Sequence, residues 1–175
     1  MSEVGFLTVV HGMVFGSVFL LGFSAGLVAL YSLRTAWTTP EGRLVRARRL
    51  PTYTWIMAAS LWFTVLSGTF MVYPTYRAPA PGGTTELEDY PREYLLADSD
   101  RAFWHTFGME WKEHVAWLAP ILATAAAFVI ALYRDQLADD IPVRRMATLL
   151  LCFAFVAAGT AGLLGALVNK AAPIP

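Results

Sequence analysis

Four stretches of this chain are long, apolar and almost free of charge. They lie within residues 4–33, 52–76, 113–133 and 146–168, the third becoming uncharged from Val115. Crossing a bilayer core as a helix takes about 20 apolar residues. In hydrocarbon every backbone N–H and C=O must find a partner inside the protein, so a spanning chain is either a helix or a closed barrel. A barrel would need alternating strands of about ten residues. A soluble α/β domain would need strand alternation and turn signals. Neither pattern occurs. The expectation is an all-α fold, an integral membrane four-helix bundle forming one domain over residues 1–175. A long extracytoplasmic loop, 77–112, would join the second and third helices. The charged fraction is 15%, against about a quarter in soluble domains.

The remaining charges orient the bundle. The first linker, "RTAWTTPEGRLVRARRLP", holds Arg34, Arg43, Arg46, Arg48 and Arg49 against Glu41. Excess arginine marks a cytoplasmic linker. The linker "RDQLADDIPVRR" mixes three arginines with three aspartates and is compatible. Both termini and the 77–112 loop then face outside, which for a bacterial inner membrane means the periplasm. "MSEVGF" has no basic segment before the first apolar run, and that run is too long for a signal peptide. A formal net charge of zero gives no general attraction to nucleic acid. Cys152, in "LLLCFAF", is the single cysteine and makes no CxxC motif, so it reads as a packed thiol.

Small residues and prolines punctuate the helices. Gly12 and Gly16, then Gly22 and Gly26, form two GxxxG patterns, and Gly159, Gly162 and Gly165 line the fourth helix. Such positions admit a neighbouring helix or a flat ligand close to the backbone. Asp98, Ser99 and Asp100 are helix N-cap residues. A helix from there can run through "RAFWHTFGMEWKEHVAW" into the third span, or break at Gly108. Pro120 is expected to kink the third helix, because it lacks the N–H that an interior position must donate.

The three histidines carry the chemistry. His11 sits in "TVVHGMVFG", and His105 and His114 sit in "WHTFGMEWKEHVAWLAP". With the topology above, the first and third helices both enter from outside, which brings His11 and His114 to one leaflet. An ionisable residue inside a span is a functional site by default, although a packed, hydrogen-bonded histidine is the plain alternative. Imidazoles from facing helices can ligate iron, and bundles build cofactor sites this way. One b-type haem between His11 and His114 fits the local sequence. Gly12 and Gly16 would thin the first helix beside it. The His114 face continues through Trp117, Leu118 and Ile121, three and four positions apart. Arg77, Arg92, Arg101 and Lys112 are available to propionates. Glu110, one turn before His114, is placed to accept its second ring N–H. His105 lies nine residues before His114, about 900° of helix, hence on the opposite face. A break at Gly108 would make His105 a substitute ligand.

Other classes compete. His11 with Met13 and His105 with Met109 offer imidazole and thioether, a set that suits copper. Methionine is also ordinary filler in apolar helices. A chlorophyll magnesium on His11, or a non-catalytic packing subunit with no cofactor, uses the same aromatic and glycine-rich surfaces. An ion-coupled transporter would need ionisable groups at mid-membrane, and the spans have none. No CxxCH occurs, so no covalent c-type haem is expected.

The helix count, "VVHGMVFG" on the first helix and "KEHVAWL" at the start of the third resemble, loosely, the four-helix membrane b-type cytochromes that serve as subunits of respiratory complexes. The resemblance implies an electron-transfer subunit rather than a self-sufficient enzyme. Its partners would be other membrane subunits, a periplasmic electron carrier or cytochrome, and quinol. Those families often hold two haems, whereas candidate ligands at one end of this bundle point to one.

Overall fold

The computed structural model describes residues 3–34 and 39–174; residues 35–38 of the first linker lie outside the described residues. Among those described, every regular element is a helix: α1 (Glu3–Ser32), α2 (Pro40–Tyr76), the short α3 (Pro91–Leu96), α4 (Ser99–Leu132) and α5 (Ile141–Ala171). All but α3 are long and apolar enough to cross a membrane. Helices of 30 to 37 residues are about 45–55 Å long at ~1.5 Å per residue. That exceeds the ~30 Å hydrocarbon core, so each carries polar turns beyond its apolar part.

Those polar turns are where the structure departs from the sequence reading. The arginine-rich stretch is helix, since α2 begins at Pro40 rather than near Thr52. Thr39 caps it by accepting from the Gly42 N–H at 3.1 Å, and proline at the first helical position costs no hydrogen bond. Inside α2, Pro51 removes a donor, and the Thr54 hydroxyl bonds the nearby Leu50 and Pro51 carbonyls at 3.2 and 3.0 Å. α4 begins at Ser99, so of the two alternatives the helix that runs from the Asp98 cap into the third span holds, and the span boundary near 113 is not a helix start. Asp98 caps it, its carboxylate accepting from the Asp100 N–H at 2.9 Å. The irregular connection after α2 is therefore 77–98, with α3 inside it. There is no break at Gly108. Beyond it, Pro120 leaves the Ala116 carbonyl without its usual donor, and the Ala119 N–H takes it at 3.3 Å, loosening α4 at Ala116 and Trp117.

The bundle packs small residues inward. α4 and α5 meet along Ala119, Ala123, Ala126, Ala147 and Ala154, all buried, while Leu20, Leu21, Phe63, Phe128, Leu149 and Phe153 face out. Helices in lipid pack through small residues in this way, whereas so much exposed apolar surface in water would drive association. Gly22 shows the closeness required. A Cβ there would lie 3.0 Å from the Met57 Cβ and 3.2 Å from the Tyr53 carbonyl. The Gly22–Gly26 pattern is thus a helix contact with α2. Gly12 and Gly16 have nothing within 4 Å. Phe23 stacks on Phe155 at 4.3 Å, joining α1 to α5.

The ends of the bundle differ in charge. The end formed by the α1–α2 and α4–α5 linkers carries eight arginines and four acids; the other carries nine acids and five cations.

Candidate functional site at the acidic end

Among the described residues, three helices leave α geometry for one π-helical turn each, and these three turns lie at the acidic end. They are Val10–Val14 in α1, Gly68–Val72 in α2 and Trp104–Met109 in α4. A π-turn accommodates one residue more than an α-turn, re-aims the side chains around it and is frequent at functional sites. The first holds His11 and the third holds His105.

His11 lies against the second π-turn. Its Nδ1 is 3.1 Å from the Ser67 Oγ. The Ser67 hydroxyl proton is already donated to the Thr64 carbonyl at 3.1 Å, so Ser67 accepts and His11 Nδ1–H donates. That tautomer leaves a lone pair on Nε2. Gly68 makes the approach possible, because a Cβ there would stand 2.6 Å from the His11 Cε1.

His114 holds the same tautomer by a different partner. Its Nδ1 is 2.7 Å from the backbone carbonyl of Glu110, which only accepts, so Nε2 again keeps its lone pair. Glu110 does orient His114 as expected, but through its main chain and not its carboxylate. The carboxylate instead faces His105, 3.8 Å from Nε2. His105 is deeply buried, 6% exposed, and its Nδ1 is 2.8 Å from the Tyr76 hydroxyl. His105 Nδ1 thus shares one hydrogen bond with the Tyr76 hydroxyl, while Nε2 stands beyond hydrogen-bond distance of the Glu110 carboxylate.

The two expected haem ligands are not brought together. No hydrogen bond, ion pair or ring contact joins His11 to His114 among the described residues. His114 does share a face with Leu118 and Ile121, and it is the exposed face, those two being 50% and 52% exposed. Trp117 turns inward instead and meets Trp62 edge-on at 6.3 Å. Lys112 stands two positions before His114, about 200° around an ideal helix. It crosses to α5, where a Cβ on Gly165 would lie 3.1 Å from its Cε and Nζ.

The basic residues expected to meet propionates divide similarly. Arg77 lies over the Tyr73 ring at 5.3 Å. Arg101 lies over the Tyr94 ring at 3.8 Å and pairs with Asp98 at 3.3 Å. Arg92 has a buried Nε without a hydrogen bond. The Lys112 ammonium makes no hydrogen bond or ion pair among the described residues. Of the copper set, Met13 is exposed and Met109 is buried, and no three His, Cys, Asp or Glu side chains cluster for a metal among the described residues.

A lid covers His105. Tyr76, Leu95, Met109, Val168 and Ala172 form a second small core, with Tyr94, Trp104 and Ile174 around it. Ala80 N–H donates to the Glu93 carboxylate at 3.2 Å, tying the connection to α3. The histidine partners Ser67, Gly68 and Tyr76 went unread in the sequence. A Ser–Gly pair opposite a membrane histidine was the available signal. No known protein family, curated protein or solved structure matches the chain.

Proposed function

We propose that the chain is a membrane-embedded electron-transfer subunit of a larger redox complex, holding one b-type haem at its acidic end. The observation that carries this is the π-turn pair that seats His11 on Ser67 and Gly68, with the ring's Nδ1 held by the Ser67 hydroxyl. A metal-ligating histidine is typically fixed in this way, its other ring N–H held by an acceptor. Gly12 and Gly16 leave the α1 surface beside His11 open, and Lys112 supplies an unpaired cation for a carboxylate. When bound, the haem would supply one-electron exchange. His11 would hold it, Ser67 would fix the ring, and Lys112 would neutralise a propionate.

His114 is the second ligand candidate, correctly protonated but on the exposed side of α4. Ligation by both requires the haem to sit where α4 meets a neighbouring subunit. In this reading the complex lies in a bacterial inner membrane with both chain termini outside, and exchanges electrons with quinol, a partner subunit or a periplasmic carrier.

A second reading is a packing or pigment-binding subunit, favoured by Gly12, Gly159 and Gly162, which have nothing within 4 Å. A dithionite-reduced minus air-oxidised spectrum of the detergent-purified protein separates the two. The first expects a sharp b-type α band, abolished by His11→Ala. His114→Ala then reports whether the exposed imidazole is a ligand. A flat spectrum, from protein purified without haem loss, would leave the packing role. Copper would show as bound metal without a haem band, and the separation of exposed Met13 from buried Met109 argues against it.

A further inference from the structure

We infer that the basic end of the bundle binds the headgroups of anionic phospholipids. The inference stands apart from the haem proposal and uses none of its residues. At this end three of the four acids are engaged locally, and the fourth, Glu41, stands in the first turn of α2. Asp135 pairs with Arg134 at 3.1 Å, Asp139 with Arg43 at 3.7 Å, and Asp140 caps α5 by accepting from Val143 N–H at 3.0 Å. Arg144 is spent as well, donating to the Leu137 and Ala138 carbonyls at 2.8 and 2.7 Å.

Arg34 lies over the Tyr31 ring at 4.3 Å, which leaves Arg46, Arg48, Arg49 and Arg145. All four are exposed, and none makes an ion pair or hydrogen bond among the described residues. Because α2 begins at Pro40, three of them are mounted on a helical turn and not on a slack linker. Arg46 and Arg49, three apart, share one side of α2. Exposed apolar side chains sit among these cations: Leu44 and Val45 on α2, Ile141 and Met146 on α5. A water-facing patch would have no use for them. At the boundary of an apolar layer they contact acyl chains while the guanidinium groups meet phosphate, which an arginine fork matches in geometry. Anionic lipid is the occupant that satisfies both halves of the surface, and a cytoplasmic leaflet supplies it.

The test titrates the whole, detergent-solubilised chain with dioleoylphosphatidylglycerol or dioleoylphosphatidylcholine and follows its thermal unfolding. Phosphatidylglycerol should raise the midpoint and phosphatidylcholine should not, and added salt should weaken the effect. Each arginine replaced by glutamine should lower apparent affinity about fivefold. The combination R46Q/R48Q/R49Q/R145Q should lose the preference, and Arg134→Gln, whose partner is Asp135, should keep it. Equal stabilisation by both lipids, an unchanged preference in the fourfold variant, or the same shift from inorganic phosphate alone would overturn the proposal. Should the fourfold variant fail to fold, the comparison of the two lipids on the unaltered chain still decides.

Discussion

The two ends of this bundle solve the same problem with opposite means. Both must bring helices out of an apolar layer. The basic end does so with regular α-helix, side-chain caps from Thr39 and Asp140, and arginines left facing outward. The acidic end interrupts three helices with π-turns, buries a histidine against a tyrosine, and folds the 77–98 connection and the chain's tail over them. Regular geometry is sufficient for anchoring. Departures from it cost stability and persist where a side chain must be aimed, as at His11 and His105.

That contrast can be broken by substitution. The largest effect is expected at Gly68→Val, whose new side chain would collide with the His11 ring. Overpacking of this kind costs about 1–3 kcal/mol, and the midpoint of thermal unfolding in detergent should fall accordingly. A haem spectrum, where present, should be lost with it. Unchanged stability would mean that His11 does not lie on Gly68. Next comes Tyr76→Phe, which strands the buried His105 Nδ1. An unsatisfied buried polar group costs about 1–3 kcal/mol, and removing a small hydroxyl creates no large cavity to add to it. Limited proteolysis should then cut the 77–98 connection sooner. The smallest effect belongs to the basic end. Arg43→Gln removes a 3.7 Å ion pair whose aspartate side chain is 85% exposed, and such pairs are worth about 0–1 kcal/mol. A loss as large as that of Tyr76→Phe would erase the distinction drawn between the ends.

The helical architecture was legible because uncharged runs beyond about 20 residues leave few alternatives. Where α2 began was not, whereas the Asp98 cap of α4 was. Hydropathy ends at the first arginine, but a helix does not, and Arg46, Arg48 and Arg49 are compatible with helix once Thr39 and Pro40 start it. His11 could be singled out from its isolation in an apolar run. Its partner could not, because Ser67 lies 56 positions away and serine in a membrane helix usually bonds its own backbone. Nor could the faces of α4 be assigned. The 900° estimate between His105 and His114 assumed ideal α geometry, and the π-turn at Trp104–Met109 lies between them. The conclusion that they point apart stands, with the buried member being His105.

A π-turn is, in effect, a single inserted residue that the helix has absorbed. Deleting one position from Val10–Val14 would let α1 close into ordinary α geometry, at little cost to the span itself. The turns on either side would keep nearly the phase they have, because the wide turn already absorbs the extra position, and the side chains within Val10–Val14 would be re-aimed. His11 would leave Ser67 for a different neighbour, while the Gly22 contact with α2 would stay in register. The acidic end thus carries its own adjustment, a one-residue widening of the turn that sets where the imidazole looks without altering how the bundle is built.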